Sequence, residues 1–420
     1  MARCRFHSCL RYILVGLALI TSYAFYSFRF LIFKNLAMYE TPIRMDMHTF
    51  ESEAQHAQAA ANHLVQSVYT NCTIEIEVQN GQAQISQLSI DMVNFDGLKL
   101  CLISVAGKKV QKADVNHTVI LTPVTSLSYL QSWIAWKPFL NKIAYALDTR
   151  RRFYILLGEL PPSDLITVPR PAWQSCWQPG LSSMHYVKPI GVLALFHKVQ
   201  PGVKSVFMMD ADTWFTAIRQ AEGRRPQPED YLNFAPNADL IGSSAHFIRE
   251  TTLINGGLIM IRNTEWSRML MSLWFYARCG PHDQPALWAM LYASWSAESK
   301  GCLAYKPVFF ATNKQSKQFT TEPMQTEILA ACFAKKYPKF VLRKNLDQIE
   351  NRVFVEPQKL PHVMILPAAS MTNGSTKIPP FVAIAVNEPD FEFPYICHIG
   401  HFQGLGSNCS WPCDGSGCQF

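Results

Sequence analysis

Charge is scarce in this chain. Asp, Glu, Lys and Arg make up 16% of its 420 residues while hydrophobic residues make up 49%, a balance that excludes a mainly disordered protein. A basic stripe is lacking too: the formal charge is +7 and the cations are scattered, so no nucleic-acid partner is expected. The one dense run, Arg150-Arg151-Arg152, suits a helix end, where cations meet the negative pole of the dipole. No internal repeat is evident, and no Walker-type Gly-rich loop stands ready to cradle phosphates. What remains is enough chain for one large domain, or one domain and an accessory segment.

From Tyr12 to Phe33 the residues are almost wholly apolar or small, broken by Arg29. About 20 such residues can cross a bilayer, with Arg29 snorkelling near one end. Arg3, Arg5 and Arg11 precede the run and favour a cytoplasmic N-terminus, although Arg29 and Lys34 on the far side weaken that bias. A single-pass type II signal-anchor is expected, with a cleaved signal peptide as the competing reading. Two of the twelve cysteines, Cys4 and Cys9, precede the span; the other ten would face an oxidising lumen and can pair as disulfides. Cys409, Cys413 and Cys418 have a zinc-like spacing but no second ligand pair follows, which leaves disulfides the better reading. Sequons at Asn71, Asn116, Asn373 and Asn408 agree with a lumenal body.

The organisation expected is a tail and anchor over 1–34, a stem over 35–115 and a catalytic domain over 116–420. Within the stem, residues 51–66 are Ala/Gln/His-rich and read as a helix. Thr73 to Val78 alternates apolar and polar residues ahead of a hairpin turn at Gln79-Asn80-Gly81-Gln82. With Cys72 and Cys101 available to staple it, this region reads as a small β module. From His117 onward strands and helices alternate: strands at 119–121, 153–157, 206–209, 238–242 and 253–261, and helices at 133–148 and 188–199. That pattern predicts an α/β fold with a Rossmann-like, mainly parallel sheet. Trp266, Met269, Leu270, Leu273, Trp274 and Ala277 recur at helical spacing behind Asn263 as N-cap, and read as core. Thr312 to Pro323 reads as a polar loop suited to acceptor recognition.

Asp210-Ala211-Asp212 directly follows the apolar run Val206-Phe207-Met208-Met209. Two carboxylates at the carboxyl end of a buried strand sit where open α/β sheets bind ligands, and where a divalent cation can be held against a diphosphate. The same tripeptide is equally at home in a solvated turn. Asn255-Gly256-Gly257 opens a strand, and its glycines either form a turn or let backbone approach a ligand closely. Arg262 can meet a phosphate or a carboxylate. Asp283, before Gln284-Pro285, looks like a helix N-cap. Lys142 either lies solvated on a helix or faces the crevice and helps hold a diphosphate.

These segments, taken in order, resemble a known group. Val206 to Phe215, then Ile254 to Asn263 with Trp266-Ser267, then His282-Asp283-Gln284-x-Ala286-Leu287 look like nucleotide-sugar transferases of the A-type fold. The family resembled contains fungal galactosyl- and mannosyltransferases and plant xyloglucan xylosyltransferases. Asn141-Lys142-Ile143-x-Tyr145, Phe354-Val355-x-Pro357-Gln358 and His401-Phe402-x-Gly404 fit it as well, and the likeness spans about Val119 to Gly404.

The resemblance implies a Golgi-resident glycosyltransferase that moves a hexose or pentose from a donor such as UDP-galactose, UDP-xylose or GDP-mannose to a glycan or glycoprotein. It implies Mn²⁺ (or Mg²⁺) held by Asp210, Asp212 and His401, with His398 the rival of His401. Asn255, Gly256, Gly257, Asp283 and Gln284 would face the donor sugar, and Ala211 would lie on the donor-binding turn. It also implies retention of anomeric configuration, with no carboxylate marked as a nucleophile. Leu405 departs from the cysteine the family often places after the glycine, which bears on disulfides more than on the metal. A carbohydrate-binding protein of the same fold without turnover is the alternative. A metal-dependent phosphotransferase using the same carboxylates ranks last.

Overall fold

The computed structural model describes residues 47–79, 82–89, 100–107, 118–130, 132–158, 184–199, 202–215, 227–244, 254–276, 283–298, 309–312, 318–321, 358–366 and 396–398. The span expected over residues 12–33, His401 and the cysteines of 409–418 lie outside them. Among the described residues no helix is long and apolar enough to cross a membrane. The chain divides into two units, Met1–Arg44 and Met45–Phe420; everything described belongs to the second.

Fourteen strands occur among the described residues. They are β1 (Tyr69–Gln79), β2 (Gln82–Ser89), β3 (Cys101–Gly107), β4 (Val119–Val124), β5 (Phe153–Leu157), β6 (Ser205–Met209) and β7 (Thr213–Phe215), then β8 (Leu240–Ser244), β9 (Ile254–Arg262), β10 (Phe309–Thr312), β11 (Gln318–Thr321), β12 (Gln358–Leu360), β13 (Val363–Leu366) and β14 (Ile396–His398). The helices are α1 (Met47–Ser67), the single turn α2 (Leu127–Leu130), α3 (Trp133–Asp148), α4 (Val187–Lys198), α5 (Pro228–Phe234), α6 (Glu265–Tyr276) and α7 (Gln284–Glu298).

Ten strands make one mixed sheet in the order β12-β13-β8-β9-β6-β4-β5-β3-β1-β2. Its centre is parallel, β5 beside β4 and β4 beside β6, as helical crossovers require. β9 runs antiparallel between β6 and β8. Helices cover both faces, and the strand alternation assigns each side chain to a layer. Val206 and Met208 face the layer of α1, α4, α6 and α7. Phe207 and Met209 face that of α3 and α5. All four are fully buried, each contributing roughly 1.5–3 kcal/mol of apolar burial, so β6 is anchored on both sides just before Asp210.

The expected stem is part of this fold. β3 pairs antiparallel with β5, from Cys101 opposite Leu157 to Val105 opposite Phe153, and β1 and β2 continue the same sheet. No separate β module exists: Leu102 and Ile103 point to opposite faces and both are buried, which requires cover on two sides. The Cys72–Cys101 disulfide does form, between β1 and β3. α1 likewise buries Ala54, Ala57, Ala61 and Val65 in the core, a helical stripe of small side chains that brings it close to α4 and α6.

Two local expectations are corrected. The N-cap of α6 is Thr264, whose Oγ1 accepts from Ser267 N at 3.2 Å, while Asn263 donates to Val203 O. β10 and β11 pair antiparallel, and β11 falls inside the segment read as a polar loop. The Arg150-Arg151-Arg152 run does follow a helix end, and Arg151 is buried there. α3 stops at Asp148, and Arg150 turns the chain at φ 53°.

Candidate functional site

The carboxyl ends of β4, β5, β6 and β8 share one edge of the sheet with the amino end of β9. Asp210 follows β6 there. Its N–H donates to Gly257 O at 2.8 Å, and its carbonyl accepts from Thr213 N at 3.1 Å and Thr213 Oγ1 at 2.6 Å. Asp-Ala-Asp is therefore a turn in its backbone.

α3 holds this turn in place. Lys142 Nζ donates to the carbonyls of Asp210 (2.5 Å) and Ala211 (3.2 Å). Asn141 clamps Phe215, donating to its carbonyl and accepting from its N–H, both at 2.9 Å. Tyr145 stacks on the Phe215 ring with centroids 3.6 Å apart. Tyr145 stands four residues after Asn141 and three after Lys142, so the three meet the turn from one side of the helix. Lys142 is fully buried. Burial pulls its pKa down to about 7 against the opposing pull of Asp212 and Asp210. It is a scaffold for the turn, not a solvated lysine.

Asn255, Gly256 and Gly257 open β9 against the same turn. Asn255 Oδ1 accepts from Gly257 N at 2.8 Å. A Cβ on Gly257 would stand 2.3 Å from Asp210 Oδ2, and one on Gly256 would stand 2.8 Å from Gln284 Cγ. Both glycines are thus required by close approach, here to the side chains of Gln284 and Asp210. Asp283 occupies the N-cap position of α7, and its carbonyl accepts from Trp274 Nε1 at 2.9 Å. Its side chain turns to the site instead of closing the helix end.

Lys188 joins these pieces, and sequence reasoning missed it. Its Nζ lies 2.9 Å from Asp210 Oδ1, 3.2 Å from Asp283 Oδ2 and 3.4 Å from Gly256 O. Burial lowers its pKa, but Asp210 and Asp283 outweigh burial and raise it above the usual lysine value. The Asp283 contact is an ion pair outside hydrogen-bond geometry, so Oδ2 has no hydrogen-bond partner among the described residues. A signal was present: Lys188 is the single cation in Val187–Phe196, an otherwise apolar helical stretch, and a buried ammonium needs partners. Tyr129, on α2 after β4, is 36% exposed. Its pKa is pushed up to about 12, by burial first and then by Asp212 and Asp210.

Arg262 does not belong to this group. It pairs with Ser205 at the amino end of β6, and its guanidinium donates to the carbonyls of Ala238, Leu232 and Ala235. These contacts tie it to the end of α5 at the sheet edge opposite Asp210, with the Asp239 carboxylate near enough to oppose the lowering of its pKa by burial. His401 lies outside the described residues. His398 ends β14, which pairs with β7 so that His398 is opposite Thr213, next to Asp212.

Asp210 and Asp212 offer hard carboxylate oxygens, the donors that Mn²⁺ and Mg²⁺ take, and a third carboxylate oxygen, on Asp283, is buried nearby without a hydrogen bond. That chemistry fits a divalent cation. Among the described residues no group of three His, Cys, Asp or Glu is placed to hold one. A scan of known protein families finds none that matches the chain, and a search of curated proteins finds no match either.

Proposed function

We propose that the chain is a nucleotide-sugar-dependent glycosyltransferase of the A-type, Rossmann-like fold, anchored in the Golgi membrane with its catalytic domain in the lumen. The observation that carries this reading is the convergence at one sheet edge. Asp210 and Asp212 follow the central strand β6, the Gly256-Gly257 backbone presses against them, and Lys188 ties Asp210 to Asp283. Ligands of open α/β sheets bind at such an edge.

In this reading Asp210, Asp212 and His401 hold Mn²⁺ (or Mg²⁺), which when bound supplies Lewis-acid neutralisation of the departing nucleoside diphosphate. Lys142 fixes the Asp210 and Ala211 carbonyls so that both carboxylates are preorganised. Asp283 and Gln284, at the start of α7, accept and donate hydrogen bonds to hydroxyls of the donor sugar. Gly256 and Gly257 let Gln284 and Asp210 pack directly against β9, which sets both side chains at the edge where that sugar would lie. Among the described residues no carboxylate is marked as a nucleophile, so the acceptor hydroxyl attacks the face the diphosphate leaves, with retention. A leaving phosphate oxygen takes the acceptor's proton.

A panel of UDP- and GDP-sugars, incubated with the full-length chain and Mn²⁺, tests the proposal. Release of nucleoside diphosphate from one donor, with retained configuration in the product by NMR, is expected. Absence of release from every donor, alongside tight glycan binding by folded protein, would favour a carbohydrate-binding protein instead.

A further inference from the structure

We infer that Lys188 is a positioning residue that acts as the site's resident counter-ion: it holds Asp210 and Asp283 together before a divalent cation arrives and competes with that cation for Asp210 Oδ1. The inference rests on the metal-site reading above. The carboxylates of Asp210 and Asp283, 21% and 5% exposed, converge on one point, and mutual repulsion would drive them apart without a buried cation. Lys188 is 3% exposed. Its ammonium touches the two carboxylates that come from different elements, one after β6 and one at the head of α7. It also reaches Gly256 O on β9, so a single side chain joins three elements of the site.

Occupancy of Asp210 makes the competition unavoidable. Oδ1 is taken by the ammonium at 2.9 Å, and Oδ2 is hemmed in by Gly257, where even a methyl group would stand 2.3 Å away. A cation that binds Asp210 must therefore share or displace Lys188 at Oδ1, bringing two positive groups to one oxygen. Asp283 Oδ2 lies 3.2 Å from the same ammonium and makes no hydrogen bond. It is the ready acceptor onto which Lys188 shifts.

Thermal unfolding in EDTA and Mn²⁺ titration by calorimetry, both on the full-length chain without donor, test the inference. Lys188→Met should unfold several degrees lower in EDTA, regain most of that loss with saturating Mn²⁺, and bind Mn²⁺ about tenfold more tightly than wild type, or about 1.4 kcal/mol. Lys188→Arg, which keeps the charge, should stay near wild type in both. Should Lys188→Met fail to fold, Lys188→Met with Asp283→Asn removes one charge of each sign. That pair should bind Mn²⁺ more tightly than Asp283→Asn alone. Unchanged or weaker Mn²⁺ binding in the Met variants overturns the counter-ion role while leaving the metal site standing. A wild type that takes up no Mn²⁺ overturns both.

Discussion

The two ends of the central strands both bury charge, yet they are built in opposite ways. At the amino end, Arg151 is 1% exposed. It pairs with Glu229 Oε1 at 2.7 Å, and it also donates to Gln227 and to Thr149 Oγ1. Glu229 in turn accepts from Thr118 N, Thr118 and Ser205 share a hydroxyl hydrogen bond, and Arg262 spends its donors on three carbonyls. Arg151 and Arg262 are matched there to acceptors fixed by the fold, while Nε and Nη2 of the neighbouring Arg152 are buried without a hydrogen bond among the described residues. At the carboxyl end, Asp210 and Asp283 share Lys188, Lys142 is bound to backbone carbonyls, and Asp283 Oδ2 is left without a hydrogen bond. A closed network stabilises; a strained one is retained where a ligand completes it.

The largest effect that would sharpen this contrast is at Asp212. Replacement by Asn should lower donor turnover by about 10³-fold, roughly 4 kcal/mol of transition-state stabilisation, with the melting temperature unchanged or higher. Equal turnover in the variant would break the functional assignment of that end. Arg151→Met should do the reverse. It leaves Glu229 buried without its cation and should cost about 3–5 kcal/mol of stability, measured by urea unfolding, while turnover per folded molecule is kept.

Smaller tests follow the same line. Glu229 is pulled down from 4.5 to about 2: burial opposes this, but hydrogen bonding and attraction from Arg151 prevail. Its ordinary value exceeds its folded one, so its stabilisation is present above pH 4.5 and lost as pH falls toward 2. Wild type should lose up to about 3 kcal/mol in that window, and Glu229→Gln should lack that component. Lys142 has the opposite signature. Its folded pKa of about 7 lies below the usual 10.5, so the unfolded chain binds more protons in between and stability should rise with pH across that window. Lys142→Met should flatten the rise. Arg262→Met should cost only about 1 kcal/mol, from its lost carbonyl contacts, and leave the donor KM unaltered. A raised KM would return Arg262 to the site.

Much of the frame was legible in the sequence because periodicity and breakers carried it. The helix at 133–148 and the strand at 153–157 coincide with α3 and β5, and the Asp-Ala-Asp turn follows β6 as its apolar run implied. What was not legible is partnership. Alternation in 73–78 announces a strand but not that β1 reaches the main sheet through β3. Ala-rich spacing in α1 announces a helix but not the core it enters. For the site, spacing found Asp210, Gly257 and Asp283, yet Arg262 was misplaced because the antiparallel β9 carries its two ends to opposite edges of the sheet. Lys188 was missed because it faces its partners across about 20 residues of sequence on one side and nearly 100 on the other. No local pattern records such a contact.

The central claim is that the carboxyl end of β6 holds a divalent cation against the diphosphate of a sugar donor. Its most direct test is Mn²⁺-dependent release of nucleoside diphosphate by the full-length chain, measured beside Asp212→Asn with folding checked by circular dichroism. The account predicts release from at least one nucleotide sugar that stops in EDTA and is lost in the folded variant. Release at the same rate in EDTA, or in Asp212→Asn, would contradict it.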